Sequence, residues 1–138
     1  MIIQSIETIP YAIAYKKPLK FASGMVNVAD HVLVKVTTAD GVVGFADAPP
    51  RPYTYGETQE SIVAVIEKRF APGVVGLKLT DSARIREILN RTIGNDAAKG
   101  ALDIAIWDAL GKTLGLPVHE LLGGYTKALK VSHMLGFD

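Results

Sequence analysis

Three prolines within four positions, Pro49, Pro50 and Pro52, cut this 138-residue chain into halves of different periodicity. Each proline removes a backbone donor and fixes φ, so neither strand nor helix is expected through Ala48–Gly56. The half before them reads as strand. Ile2 to Ile9 is rich in isoleucine, and beyond Pro10 the residues Tyr11, Ile13 and Tyr15 fall on one side of a second run. A proline inside such a run marks an edge or a break. Lys16 to Asn27, with Pro18, Ser23 and Gly24, reads as a loop. From His31 to Thr38, Val32, Val34 and Val36 alternate against Lys35 and Thr37, the period-two signature of a strand. Ala39-Asp40-Gly41 supplies a tight turn, and Val42 to Ala48 returns antiparallel.

The half after the prolines has a helical period. Thr54 and Glu57 have capping-box spacing, with Thr58 a rival cap, and Ile62, Val65, Ile66 and Phe70 then share one face ahead of Pro72. Thr80-Asp81-Ser82 opens a second helix that turns Ile85, Ile88 and Leu89 inward and closes near Gly94. Asn95 is placed to cap a third, Asp96 to Leu114, whose alanines at 97, 98, 101, 105 and 109 permit close packing. On it, Asp108 and Lys112 stand at i, i+4. Gly115 ends this helix, Pro117 starts a short one and Gly123-Gly124 closes that. The pattern predicts an α+β chain, a three-stranded antiparallel meander followed by a helical bundle.

Composition removes several functions. Fifteen basic against fourteen acidic side chains leave a net charge of +1, with no electrostatic footprint for nucleic acid or an anionic membrane. The absence of cysteine excludes disulfides, thiolate-bound zinc and thiol nucleophiles. His31, His119 and His133 are too dispersed to suggest a metal cluster. No apolar run nears the roughly 20 residues that span a bilayer, so a cytoplasmic location is the default. Catalytic motifs are missing too: there is no Gly-rich phosphate loop, GxSxG elbow or HExxH. Asp103 and Asp108, five apart on one helix, point to different faces and read as surface or cap partners.

Two segments flanking the meander carry the chemistry that remains. Lys16 to Asn27 and Pro49 to Thr58 contribute Lys17, Lys20 and Arg51 as cations, Ser23, Tyr53 and Tyr55 as hydroxyls, and Phe21 and Met25 as apolar bulk. Neighbouring strands would bring the two together, and prolines reduce the entropy lost on ordering such a surface. A pocket for a small anion with an apolar or unsaturated body is one reading. Solvated lysines with tyrosines packed on the sheet is the other. Trp107 reads as core, and so does His133, a lone histidine in the apolar run Ala128 to Gly136. That run has the continuous hydrophobicity of a strand covered on both faces. Two residues after it the sequence stops, so the expectation is a strand whose partners lie elsewhere and a folding unit longer than 138 residues.

The stretch AKGALDIAIWDALGKTLGLPVHELLGG, from Ala98 to Gly124, resembles the segment that closes the N-terminal capping domain in the mandelate racemase and muconate lactonizing branch of the enolase superfamily. Gly100, Ala101, Leu102-Asp103, Ala105, Asp108, Gly111-Lys112, Pro117-Val118 and Leu121-Leu122-Gly123 match its spacing, and Ile106 departs mildly. The upstream order of strand, loop, hairpin, loop and helices agrees, so the resemblance covers the whole chain. KPLKFASG, DAPPRPYTYGET and VSHMLGFD are similar to the muconate cycloisomerases within that branch; dipeptide epimerases and o-succinylbenzoate synthases share the framework.

The resemblance implies a cap, residues 1–126, laid over a (β/α)8 barrel whose first strand is residues 127–138. A barrel needs about 250 residues, more than this chain has. It implies that Lys20, Phe21, Ser23, Arg51, Tyr53 and Tyr55 contact a small dicarboxylate, and that one of His133 and Met134 faces the pocket. It also implies Mg2+ or Mn2+ held by barrel acids, acid/base lysines beyond Asp138, a homo-oligomer, and a chain that by itself is inactive and metal-free. A non-catalytic binding or assembly module is the competing expectation, because an open strand edge invites pairing.

Overall fold

The computed structural model describes residues 1–21, 24–126 and 128–133. Strands β1 (Ile3–Phe21), β2 (Gly24–Thr38) and β3 (Val43–Ala48) form one antiparallel sheet in the order β1-β2-β3. Pro10 lies within β1 opposite Val32 without ending it, which an edge strand tolerates because the proline's missing donor costs no central ladder bond. The expected loop from Lys16 to Asn27 is strand in all its described residues. Lys16–Phe21 and Gly24–Asn27 continue the two strands, with a register shift between Ala14 and Leu19 and the pairs Leu19↔Val26, Lys20↔Met25 and Phe21↔Gly24 beyond it. The shift absorbs Tyr15 to Pro18 as a bulge, so polar and small residues that look like a loop still leave a ladder that closes.

Helices cover one face. These are α1 (Gln59–Val65), a π-helical turn (Ile66–Phe70), α2 (Ala71–Val74), α3 (Ser82–Leu89), α4 (Asp96–Leu114) and α5 (Val118–Leu121). Val32, Val34 and Val36 are sealed against Ile62, Ile66, Phe70, Leu102 and Ala105. Pro72 does not terminate the first helical run, contrary to expectation. The Ala71 N–H bonds five residues back to the Ile66 carbonyl, and this widened turn shifts the ladder so that Pro72 enters α2 in its first turn, where no donor is needed.

The long helix α4 packs on β3 through small residues. Gly44 and Ala48 of β3 are buried against a helix whose Ala98, Ala101, Ala105 and Ala109 are buried too. A Cβ on Gly44 would sit 2.0 Å from the Ala105 carbonyl oxygen, so this close approach admits glycine alone. Asp108 and Lys112 then cover the β3 edge. Asp108 Oδ2 accepts from the Phe45 N–H at 2.8 Å and from Lys112 Nζ at 2.6 Å, while Lys112 Nζ also donates to the Val43 carbonyl at 2.9 Å. A free sheet edge invites association, and two side chains of one helix satisfy this one.

Of the two candidate caps for α1, Thr58 and not Thr54 serves, in a reciprocal box with Ser61. The cap of α4 differs from the expected one. Asn95 precedes α4 with φ of 60° and makes no side-chain cap bond. Buried Glu57 does that work from 40 residues away, its carboxylate oxygens accepting from the Ala97 and Ala98 N–H groups at 2.8 and 3.1 Å. An anion at the positive end of a 19-residue helix is favourable both as hydrogen-bond acceptor and against the macrodipole.

Residues 128–133 form no regular element, and Leu129 and Val131 are exposed. A strand needs a paired neighbour, and among the described residues none lies beside this run; its remainder, 134–138, falls outside the described residues. No helix among the described residues is long and apolar enough to cross a membrane.

Candidate functional site

Where β3 ends at Ala48, opposite Val32, the β1–β2 hairpin continues outward as a two-stranded ribbon. Even-numbered residues of β2 face the helices along the sheet. The same parity persists past the helical layer, where Val26, Val28 and Asp30 face open space instead of core. Across that space runs the proline-rich loop. The result is a cleft of about 420 Å³, walled by Tyr15, Phe21, Val26, Val28 and Asp30 of the ribbon, by Pro50 to Thr54 of the loop, and by Thr58, Gln59 and Glu60 at the start of α1. Its volume lies in the range of small-molecule sites.

The loop is held by its own backbone. The Arg51 carbonyl accepts from the N–H groups of Thr54, Tyr55 and Gly56 at 3.0, 2.7 and 3.2 Å, and Gly56 takes a φ of 79° that suits glycine. Pro50 is buried and Arg51 exposed, so the turn presents the guanidinium at the rim. Two aromatic side chains of the lining, Phe21 on the ribbon and Tyr53 on the loop, are 54% and 88% exposed. The Glu60 carboxyl, bonded to its own backbone N–H and to the Thr58 side chain, is held below the usual carboxylate range.

Of the residues named from sequence, Phe21, Arg51 and Tyr53 line this cleft. Lys20 and Tyr55 belong to the same two segments but do not line it. Ser23 and Met134 lie outside the described residues. His133 is exposed, not a core group, since nothing described covers its segment, and it does not line the cleft. Tyr53 and Tyr55, at 88 and 67% exposed, do not pack on the sheet. Tyr15, Val26, Val28, Asp30, Gln59 and Glu60 were missed. The period-two pattern of Val32, Val34 and Val36, extended backward through residues 30, 28 and 26, is the signal that marks the β2 members of that set.

Among the described residues no group of three or more His, Asp or Glu is arranged to hold a metal ion. The divalent metal implied by the resemblance therefore has no ligand set here, and nothing below is routed through it.

Residues 5–123 match the family model described as the mandelate racemase / muconate lactonizing enzyme, N-terminal domain. The chain belongs to this family. It is 36% identical over 97% of its length to muconate cycloisomerase 1 of Rhodococcus opacus, and 34% identical over its full length to the L-Ala-D/L-Glu epimerase of Bacillus subtilis. It spans 37 and 38% of those relatives. Among solved structures, a muconate lactonizing enzyme from Mycobacterium smegmatis complexed with muconolactone matches with a TM-score of 0.94 and 59% identity, covering all of this chain and 38% of that one. The three-stranded sheet and following helices are thus those of the family's N-terminal capping domain.

Proposed function

We propose that this chain caps the active site of a muconate-cycloisomerase-like enzyme, and that the ribbon–loop cleft contributes the contacts that select its substrate. The observation that carries this reading is the cleft itself, whose lining combines the cation Arg51 with the apolar and aromatic side chains of Phe21, Val26, Val28 and Tyr53. A conjugated dicarboxylate and its lactone have this make-up: charged ends on a flat, unsaturated body. Arg51 would take one carboxylate in a charge-assisted pair, worth about 1.5–3 kcal/mol. The aromatic wall would take the carbon skeleton. With the cap down, water is excluded and each of these interactions strengthens.

In the lactone-opening direction a proton leaves the carbon α to the carboxylate and the lactone C–O bond breaks. The acids and bases for that step belong to a barrel, which we place beyond this chain together with its metal, with residues 127–138 as its first strand. The chain's own residues bind and orient; they move no proton. Lys20, Tyr55, Ser23, His133 and Met134 stay as further candidates for contact once a barrel is present. A cytoplasmic location and a homo-oligomeric state are part of the same proposal.

A second reading is dipeptide epimerisation. Asp30 and Glu60 in the cleft wall favour it, because two carboxylates suit an ammonium group better than a dianion. Turnover decides between the two. The full-length protein given cis,cis-muconate and L-Ala-L-Glu in parallel should lactonise the first and leave the second unchanged; epimerisation of the dipeptide with no lactone formed would overturn the muconate reading.

A further inference from the structure

We infer that the pair Tyr11–His31 is a joint clamped from both faces of the sheet, by Asp47 on one and Gln59 on the other, and that this clamp positions the ribbon wall of the cleft. Its importance for substrate rests on the function proposed above; its mechanical role does not.

The place is unusual. The last β2–β3 pair is Val32↔Ala48, and the next pair outward on the β1–β2 ladder is Tyr11↔His31. From there the hairpin has two strands and no third. A two-stranded ribbon is marginal on its own in water, and this one buries little, with Ile13, Phe21 and Met25 all more than half exposed. Whatever stiffens it has to act at its root.

At that root three strands and a helix converge on two residues. On the face away from the helices, the Tyr11 and His31 rings stack with centroids 5.4 Å apart. Both then engage one carboxylate: the Tyr11 hydroxyl donates to Asp47 Oδ1 at 2.9 Å, and His31 Nδ1 lies 2.6 Å from Oδ2. Asp47, next to the end of β3, so ties the third strand to the pair just beyond its reach. On the helical face, the Gln59 amide donates to the Tyr11 and His31 carbonyls at 2.8 and 2.7 Å. One side chain of α1 thereby straddles the two strands, and α1 also begins the opposite wall of the cleft.

Tyr11, His31 and Asp47 do not line the cleft, so they are positioning residues. Tyr15, Phe21, Val26 and Val28 lie outward of the joint, where a small rotation at the root is amplified along the ribbon. Misplacement of a binding group by about 1 Å can cost two orders of magnitude in rate.

The test uses the full-length protein with Asp47→Ala, Gln59→Met and, as a control, Glu7→Gln, which breaks the separate outer-face pair between Glu7 and Lys35. Amide hydrogen exchange is read in residues 12–21 and 24–30 against residues 32–38. Asp47→Ala and Gln59→Met should each speed exchange in the ribbon by about tenfold or more and leave 32–38 unchanged, while Glu7→Gln changes neither; with muconolactone as substrate, Asp47→Ala should raise KM about tenfold and hold kcat within roughly twofold. Unchanged ribbon exchange, or equal acceleration in ribbon and core, overturns the clamp. A loosened ribbon with unmoved KM overturns its positioning role. If the wild type turns over neither muconolactone nor a dipeptide, the proposed function fails, and the exchange contrast still decides the clamp.

Discussion

The two ends of the β1–β2 hairpin are built from the same strands and put to different use. At the covered end, Val32, Val34 and Val36 are fully buried beneath helices, each such side chain stabilising the fold by about 1.5–3 kcal/mol. At the outer end, Ile13, Phe21 and Met25 are 59, 54 and 60% exposed, and hydrogen bonds at one joint replace burial as the source of order. Stability is concentrated where the helices lie, which leaves the ribbon free to carry apolar side chains for a ligand. Binding surfaces are commonly drawn from the less stable part of a fold for this reason.

That contrast can be broken from the covered end first. Phe70 is fully buried in the π-helical turn, and Phe70→Ala should cost about 3–5 kcal/mol in urea unfolding of the full-length protein, with no specific effect on the ribbon. Gly44→Ala forces α4 off β3 and should cost about 1–3 kcal/mol, or prevent folding, read as a lower Tm. Glu57→Ala strands the Ala97 and Ala98 N–H groups and should cost about 1–2 kcal/mol.

The outer end should respond differently. The Tyr11 hydroxyl has its pKa raised above the ordinary 10.0, first by its hydrogen bond to Asp47, then by desolvation and by that same charge. A raised value means the protonated phenol is the form the fold stabilises. Its contribution is complete below about pH 10 and is lost as pH climbs through the raised value. Tyr11→Phe should abolish that alkaline loss in a pH series of Tm. Smallest of all, Phe21→Ala should alter stability by less than about 0.5 kcal/mol, since little is buried, while weakening muconolactone binding. Equal destabilisation by Phe21→Ala and Phe70→Ala would erase the distinction between the ends.

How far the sequence discloses this depends on whether the cause is local. Val32 to Val36, the Ala39-Asp40-Gly41 turn and the alanines of α4 declare their elements because the period or the turn chemistry is written in adjacent residues. The ribbon does not, because Lys16–Phe21 and Gly24–Asn27 form strand only through pairing and one bulge. The cap of α4 is hidden for the same reason: Asn95 is the local candidate, and Glu57 is distant in sequence. Pro72 misleads because a π-turn five residues long absorbs it. For the cleft, Phe21, Arg51 and Tyr53 were legible as residue types that bind anions and unsaturated carbon. Gln59 and Glu60 were not, since nothing in their own neighbourhoods places them beside the ribbon, and Asp30 is marked only by carrying the Val32–Val36 alternation backward along β2.

The most direct test compares two exposed arginines in the full-length protein, Arg51 at the cleft and Arg69 on the α2–α3 side of the molecule. Muconolactone affinity is measured by calorimetry for Arg51→Met and Arg69→Met, with Tm recorded for both. The account predicts a loss of roughly 10- to 150-fold for Arg51→Met, none for Arg69→Met, and matching Tm values. Equal affinities in the two variants would contradict it.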